Sequence, residues 1–486
     1  MRCNYNYLAL AALTAFASAS TAAHADVTLS SAATQDMSCS GGVCAPTAKD
    51  AVLNVGDLET MLASGNVEVT TKGAGVQANN IDIDAALSWP DTNTLSLDAY
   101  DSIDVNKPVT VTGLSGLAVT TNDGGSGGTF SFGKKGHVTF QNLSSQLGIN
   151  GTAYTLVGTV AALSSAIQNK PGGAYALAAN YDASNDGTYK NSPIQTTLTG
   201  NVQGLGNTIS KLKTTCNAKD ANVGLFTWVG SSGAVENLRL IKLHLKVSGS
   251  DTFGAGLVGI NDGLLLGDEV SGSAISNDAA VGGLVGANRG DIMSSWAALN
   301  ISSCCGGLVI ENSGTINLSH ANGAVPDGAG FVEDNEGTIS QSYATGAATF
   351  GDGFAIYNDG DGTFAGEIDN SYATGAAYDA GFVGFNGETE DVTVTSSYST
   401  GAVAQGEAGF DCDAAFANAF TYDYWDTTTS GTEYGFCNDE NFAGVTGLTS
   451  NKLKSRLPKG FDPKIWALDP KINKGFPYLV NNAPQK

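Results

Sequence analysis

Positive charge is scarce in this chain, and scarcest where the sequence is most regular. Between Asp251 and Asn451 a single cationic side chain, Arg289, stands against 28 carboxylates, and the whole chain carries a formal net charge of −24. Such a surface repels nucleic-acid phosphate and anionic headgroups, so nucleic acid is no partner for it. Its plainest purpose is to keep an exposed β-rich protein dispersed. Arginine is equally thin. Beyond Arg2 there are only Arg239, Arg289 and Arg456, too few to neutralise an acidic sugar polymer as a polysaccharide lyase must. Histidine is rarer still, with His137, His244 and His320 alone after His24. A serine or cysteine nucleophile therefore has few bases to draw on, and no His/Cys set shows zinc-ligand spacing. No stretch after the leader approaches the roughly 20 apolar residues that span a bilayer.

The leader itself is legible. Arg2, the mainly apolar run from Tyr7 to Ala17 and the small residues ending Ala23-His24-Ala25 give residues 1–25 the layout of a secretory signal peptide, with cleavage expected before Asp26. The expected location is secreted or cell-surface, with the periplasm as the alternative. The remaining cysteines are Cys39, Cys44, Cys216, Cys304, Cys305, Cys412 and Cys437. Export permits disulfides, and an odd number leaves at least one thiol without an internal partner. Cys39 and Cys44 can close a small loop across Gly41-Gly42. Cys412 and Cys437 lie 25 residues apart, about one repeat period, so they are expected to bond across adjacent coils. The pairing of Cys216, Cys304 and Cys305 stays open.

That period is the strongest signal in the chain. A phrase of glycine, two apolar residues and a terminal Asn begins at Gly256, Gly283, Gly307, Gly330, Gly353 and Gly381, at intervals of 23 to 28 residues, and decays at Gly409-Phe410-Asp411. A fixed period of this size marks a solenoid, whose units bury their apolar face only on a neighbour. A second phrase follows within the repeats, as Ser319-His320-Ala321, Ser342-Tyr343-Ala344, Ser371-Tyr372-Ala373 and Ser397-Tyr398-Ser399. With a Thr-Ile strand between them, this makes about three short strands per unit, which is one coil of a parallel β-helix. The Asn column from Asn261 to Asn386 is expected to stack as an amide ladder. Tyr343, Tyr372 and Tyr398 are expected to stack as packing, with His320 in the same column. Glycine abundance is attributed to corners with positive φ or no room for Cβ. Upstream, Ile81-Asp82-Ile83, Leu95-Ser96-Leu97, Val109-Thr110-Val111 and Phe130-Ser131-Phe132 alternate as strands, and Val160 to Ile167 has helical spacing before Pro171-Gly172-Gly173.

Together these phrases resemble the GLUG repeats of bacterial adhesins of the filamentous haemagglutinin type. Tyr424-Trp425-Asp426, Gly447-Leu448-Thr449, Trp466-Ala467-Leu468-Asp469 and Gly475-Phe476-Pro477-Tyr478-Leu479 are similar to the segment that ends such arrays. Leu87-Ser88-Trp89 and Ile149-Asn150-Gly151-Thr152-Ala153-Tyr154 are similar to the stretch that precedes them. The resemblance covers about Gly75 to Leu479 and implies an all-β, right-handed parallel β-helix with one short inserted helix, on an exported protein whose role is adhesion. It carries over no catalytic residue. The chain departs from the family in showing no amino-terminal secretion domain and no carboxy-terminal membrane strand. The expected divisions are a loop-rich cap over 26–74, coils over 75–150, a strand-helix-strand insertion with further coils over 151–222, the repeats over 223–411, and a C-terminal cap over 412–486.

The leading expectation is thus a binding protein, not an enzyme, that meets a surface glycan or protein receptor, with an outer-membrane pore as a candidate secretion partner. The competing reading is a secreted β-helix lyase or hydrolase. So many carboxylates make accidental acid/base pairs, so abundance identifies none. No catalytic or cofactor-binding residue is assigned. Calcium is the one cofactor left open, at Asn358-Asp359-Gly360-Asp361-Gly362 and Glu388-Thr389-Glu390-Asp391, where oxygen ligands cluster on turns.

Overall fold

The structure, a computed structural model, describes residues 25–90, 92–219, 221–302, 304–360, 365–387, 391–414, 419–437 and 442–484. The leader expected at 1–25 lies outside them except for Ala25, as do Asp361, Gly362, Glu388, Thr389 and Glu390 of the calcium candidates. The chain is a parallel β-solenoid of about 14 turns. Alternating apolar residues point into a core that runs its length, and the strand after each corner pairs in parallel with its counterpart one coil on.

In the repeats each coil presents three faces. One sheet contains Val285–Asn288, Val309–Asn312, Val332–Asn335, Ala355–Asn358 and Val383–Asn386, with the Asn residues in register. A second contains Thr315–Asn317, Thr338–Ser340, Glu367–Asp369 and Thr393–Thr395. The third contains Trp296–Ile301, His320–Ala321, Tyr343–Ala344, Tyr372–Ala373 and Tyr398–Ser399. Inside, Leu257, Leu284 and Leu308 give way to Phe331, Phe354, Phe382 and Phe410, all fully buried. Those Phe rings stack at centroid distances of 4.6, 4.7 and 5.0 Å.

Two polar ladders lock the coils. Each Asn side chain from Asn261 to Asn358 donates through Nδ2 to the Oδ1 of the next, at 2.7 to 2.8 Å. The ladder expected from the sequence is therefore present and buried. A second ladder went unread. Ser295, Ser319, Ser342 and Ser371 each offer their backbone N–H to the next serine hydroxyl, the last being that of Ser397, at 3.1 to 3.2 Å. Each Oγ in turn donates to the carbonyl two residues back. Aspartates close both ends, with Asp268 N–H on Ser295 Oγ and Ser397 N–H on Asp423 Oδ1.

Glycine and positive φ separate in a way the sequence does not announce. The phrase glycines lack positive φ. They are needed because a Cβ on Gly283, Gly307, Gly330, Gly353 or Gly381 would stand 1.9 to 2.2 Å from the next coil's glycine carbonyl. The left-handed corner falls instead on Ser294, Leu318, Gln341, Asn370, Ser396 and Tyr422, one residue before the serine ladder. Such a corner costs about 1–2 kcal/mol per residue, and the serine ladder offsets it by satisfying the backbone N–H that follows.

The expected boundaries need correction in three places. Residues 26–74 are not mainly a loop-rich cap, because Val27–Ser30 lies in parallel between Ala51–Asn54 and Ile81–Ile83, with Val27, Leu29, Ala51 and Leu53 turned into the core. There are three short α-helices among the described residues instead of one: α1 (Val55–Leu62), α2 (Val160–Asn169) and α3 (Ser450–Ser455). Asn54 caps α1 by accepting from Gly56 and Asp57 N–H, and Thr159 caps α2 by accepting from Ala162 N–H. Finally, coil pairing continues through Val445–Leu448, after which residues 449–484 run back along the flank instead of capping the end.

Strand direction also inverts midway along the stack, apart from short antiparallel pairs near the two ends. Gln146–Ile149 and Thr152–Val157 pair antiparallel across the turn at Asn150-Gly151, and Ala174–Leu177 then continues in parallel with the second of them. The inversion leaves two hydrophobic cores, one mainly before Leu156 and one after it. Arg239 staples them together. Its guanidinium donates to the carbonyls of Phe132, Gly133 and Gly136 on one side and Gly206 on the other, while Nε lies 3.2 Å from Glu269 Oε1.

Candidate binding groove at the open end of the aromatic column

The third sheet carries an outward-facing column that reads Arg239, Glu269, Trp296, His320, Tyr343, Tyr372, Tyr398, Tyr424 in successive coils. From Trp296 to Tyr398 the rings stack nearly parallel, at centroid distances of 5.5, 4.6, 4.9 and 5.2 Å. The tyrosine column expected as packing is packing, but its cover is the chain's own tail. Phe461, Trp466, Phe476 and Leu479 close over it as a separate apolar cluster. Trp466 Nε1 donates to Asn370 Oδ1 at 2.9 Å, Tyr398 OH donates to the Pro477 carbonyl, and Tyr424 OH donates to the Lys459 carbonyl. Asn482 ends the cover by donating to the Ser319 and Gln341 carbonyls. The tyrosines are therefore not a free contact surface.

The cover stops at His320, and there the column opens. A groove of about 390 Å³ lies between Asn481, Asn482 and Ala483 of the tail and Thr129, Ser131 and Phe132 of the first stack. Its floor is Trp296, half-buried and backed by the stacked His320 ring. Glu269 accepts a hydrogen bond from Trp296 and pairs with Arg239, so burial raises its carboxyl pKa while both partners hold it down. Burial drives His320 down to about 4, against a hydrogen bond that the ring donates to Asn482 and that raises it, so the ring is neutral at pH 7. An aromatic platform ringed by amides, a carboxylate and hydroxyls suits a sugar ring, whose C–H face packs on the indole while its hydroxyls find polar partners. Glu269 is the groove's one carboxylate, and Arg239 ties it down.

The two cysteine pairings expected from the sequence are in place. Cys412 and Cys437 are bonded across neighbouring coils, and Cys39 and Cys44 across a two-strand hairpin. Cys304 bonds to Cys305, leaving Cys216 as the buried free thiol. Asn358 is no calcium ligand, since its Oδ1 accepts from Asn335 and its Nδ2 donates to Asn386. The groove is hard to read from the sequence because its walls come from residues more than a hundred positions apart, although Trp296 takes the ring position of the second phrase in Ser295-Trp296-Ala297. The only sequence signal was the change from Trp to His to Tyr down one column.

Buried acids give the fold a pH dependence. Burial, reinforced by neighbouring carboxylates, raises Asp82 and Asp352 to about 7 and Glu333 and Asp334 to about 6. Asp268, Asp411 and Asp423 are also raised well above the ordinary carboxylate value by complete burial. A raised folded-state pKa means that the folded chain binds protons the unfolded chain has released, so this stability is full below about pH 4 and is lost as pH climbs through 6 and 7. His137 and His320 shift downward and oppose the trend below pH 6.5, but the acids outnumber them. The midpoint of thermal unfolding is expected to be higher at pH 5 than at pH 8, and a profile that rises with pH would contradict this assignment.

No helix among the described residues is long and apolar enough to cross a membrane. No protein-family model, curated protein or solved structure matches the chain.

Proposed function

We propose that this is a secreted or cell-surface, adhesin-like solenoid of the filamentous haemagglutinin type, which attaches to a surface glycan and catalyses no reaction. The observation that carries the reading is the Trp296 groove, an aromatic platform with polar walls on a scaffold too cross-linked by its ladders to remodel around a substrate. Sugar rings are held in such places by stacking and hydrogen bonds. The acidity of the repeats favours a neutral or amino sugar over a uronate.

The test is retention of glycan-coated beads by immobilised protein, alongside assays for new reducing ends and for unsaturated lyase products on pectic, alginate and glucan polymers. Trp296→Ala is expected to reduce retention roughly 5- to 150-fold, taking as the scale the about 1–3 kcal/mol of a base stacked on an aromatic, with the far-ultraviolet spectrum unchanged. Sustained turnover abolished by replacing one carboxylate would establish the enzymatic reading in its place. Retention that ignores Trp296 would remove the groove from the proposal.

A further inference from the structure

Two sulfur pairs lie where the chain enters the asparagine sheet, Cys305 just before a strand of it and Cys412 on one, and each has a glutamate against it. Cys304, Cys305 and Glu333 place their sulfur and carboxylate atoms within 4.8 Å of one another, and so do Glu407, Cys412 and Cys437. The two clusters use equivalent positions of the repeat with the residue types exchanged. Cys305 and Glu407 stand two residues before a phrase glycine, Gly307 and Gly409, while Glu333 and Cys412 stand three residues after one, Gly330 and Gly409.

Neither glutamate is explained by a disulfide. A bonded sulfur has no proton to donate, yet Glu407 Oε2 lies 3.3 Å from Cys437 Sγ and 3.8 Å from Cys412 Sγ. Glu333 Oε2 is buried with no hydrogen-bond partner. A carboxylate oxygen held against two sulfurs calls for a proton or a cation between them. Once reduction lets the two sulfurs part, the Glu407 oxygen-to-sulfur separations of 3.3 and 3.8 Å suit a tetrahedral ion with bonds of about 2.3 Å to sulfur and about 2.0 to 2.2 Å to oxygen, leaving a fourth position for water. Thiolates select zinc or cadmium over calcium and magnesium.

We propose that each of these cysteine pairs, with its glutamate, becomes a binding site for a thiophilic divalent cation when its disulfide is reduced. Reduction by a dithiol delivers two electrons and two protons to the disulfide, and the dithiol leaves as its own cyclic disulfide. The ion then displaces both thiol protons to solvent, so two thiolates and one carboxylate hold it. The proposal is independent of glycan attachment.

The experiment is a cadmium titration of the full-length chain, followed by thiolate-to-cadmium charge-transfer absorbance, before and after treatment with a dithiol that is then removed without air. The reduced protein is expected to take up about two ions per chain and the oxidised protein to show no band. The paired variant Cys304→Ser with Cys305→Ser, and likewise Cys412→Ser with Cys437→Ser, should each halve the band. Glu333→Gln and Glu407→Gln, which keep shape and sulfurs intact, should weaken cadmium roughly tenfold or more at their own site. The inference is overturned by a reduced protein without the band, by a band that survives replacement of all four cysteines, or by unchanged affinity in both glutamine variants.

Discussion

Asn335→Leu is expected to lower the stability of the repeat array by about 3–5 kcal/mol, read as a fall in the urea midpoint of its unfolding. The leucine nearly matches the asparagine in volume, so the loss is not one of space. It leaves Asn312 Nδ2 without the Oδ1 it reaches at 2.7 Å and Asn358 Oδ1 without the donor that reaches it at 2.8 Å. The Gly337 carbonyl loses one of its two donors and keeps the Glu367 N–H. Each orphaned group in the buried interior costs about 1–3 kcal/mol. A fall under about 1 kcal/mol would show that the ladder is a passenger of the fold. Because each coil touches chiefly its neighbours, the effect should propagate as weakened coil-to-coil coupling.

Trp466→Ala is the second large effect, and it acts elsewhere. The indole is fully buried, lies 4.5 Å from Phe461 and 5.7 to 6.0 Å from Tyr398 and Tyr372, and donates to Asn370. Truncating such a residue costs about 3–5 kcal/mol. The loss should detach the tail and leave the coils standing. Trypsin reads this directly, since between Asp251 and Asn451 only Arg289 offers a site, whereas the tail carries Lys452, Lys454, Arg456, Lys459, Lys464, Lys471 and Lys474. Rapid cleavage confined to residues 452–474, with strand content retained, is the expected pattern. Cleavage of tail and array at equal rates would mean that the column cannot stand uncovered.

The sequence made the solenoid plain because its period is set by one covalent fact repeated. Glycine recurs wherever a neighbouring coil's carbonyl comes within about 2 Å of where a Cβ would sit, as at Gly330 over Gly353. Asparagine recurs wherever an amide must both give and receive. The serine ladder was less visible because a serine beside a tyrosine reads as ordinary strand composition, and its partner is a backbone N–H that has no letter in a sequence. Arg239 was unreadable for a similar reason, since four of its five acceptors are main-chain or distant groups. The helix at Val160 and the Cys412 bond to Cys437 were readable, the first from apolar spacing and the second from the period. The direction change at Asn150-Gly151 left only a turn dipeptide, which is equally common where a coil continues.

The tail has a consequence for the order of folding. Ladder partners are 23 to 28 residues apart, whereas Asn482 meets the Ser319 carbonyl 163 residues back along the chain. Closing the longer loop in an unstructured chain costs roughly 1.5 kcal/mol more, from the logarithmic growth of loop entropy. Once the coils between Ser319 and Leu448 have formed, that distance is already spanned by rigid structure and the penalty disappears. The tail is therefore the last piece to settle, and it can settle only on coils whose rings already stand in line. Its docking reports on the whole stretch beneath it, so a chain with one slipped coil would leave Trp466 and Leu479 in water, marked for capture by proteases or chaperones before it could be mistaken for native.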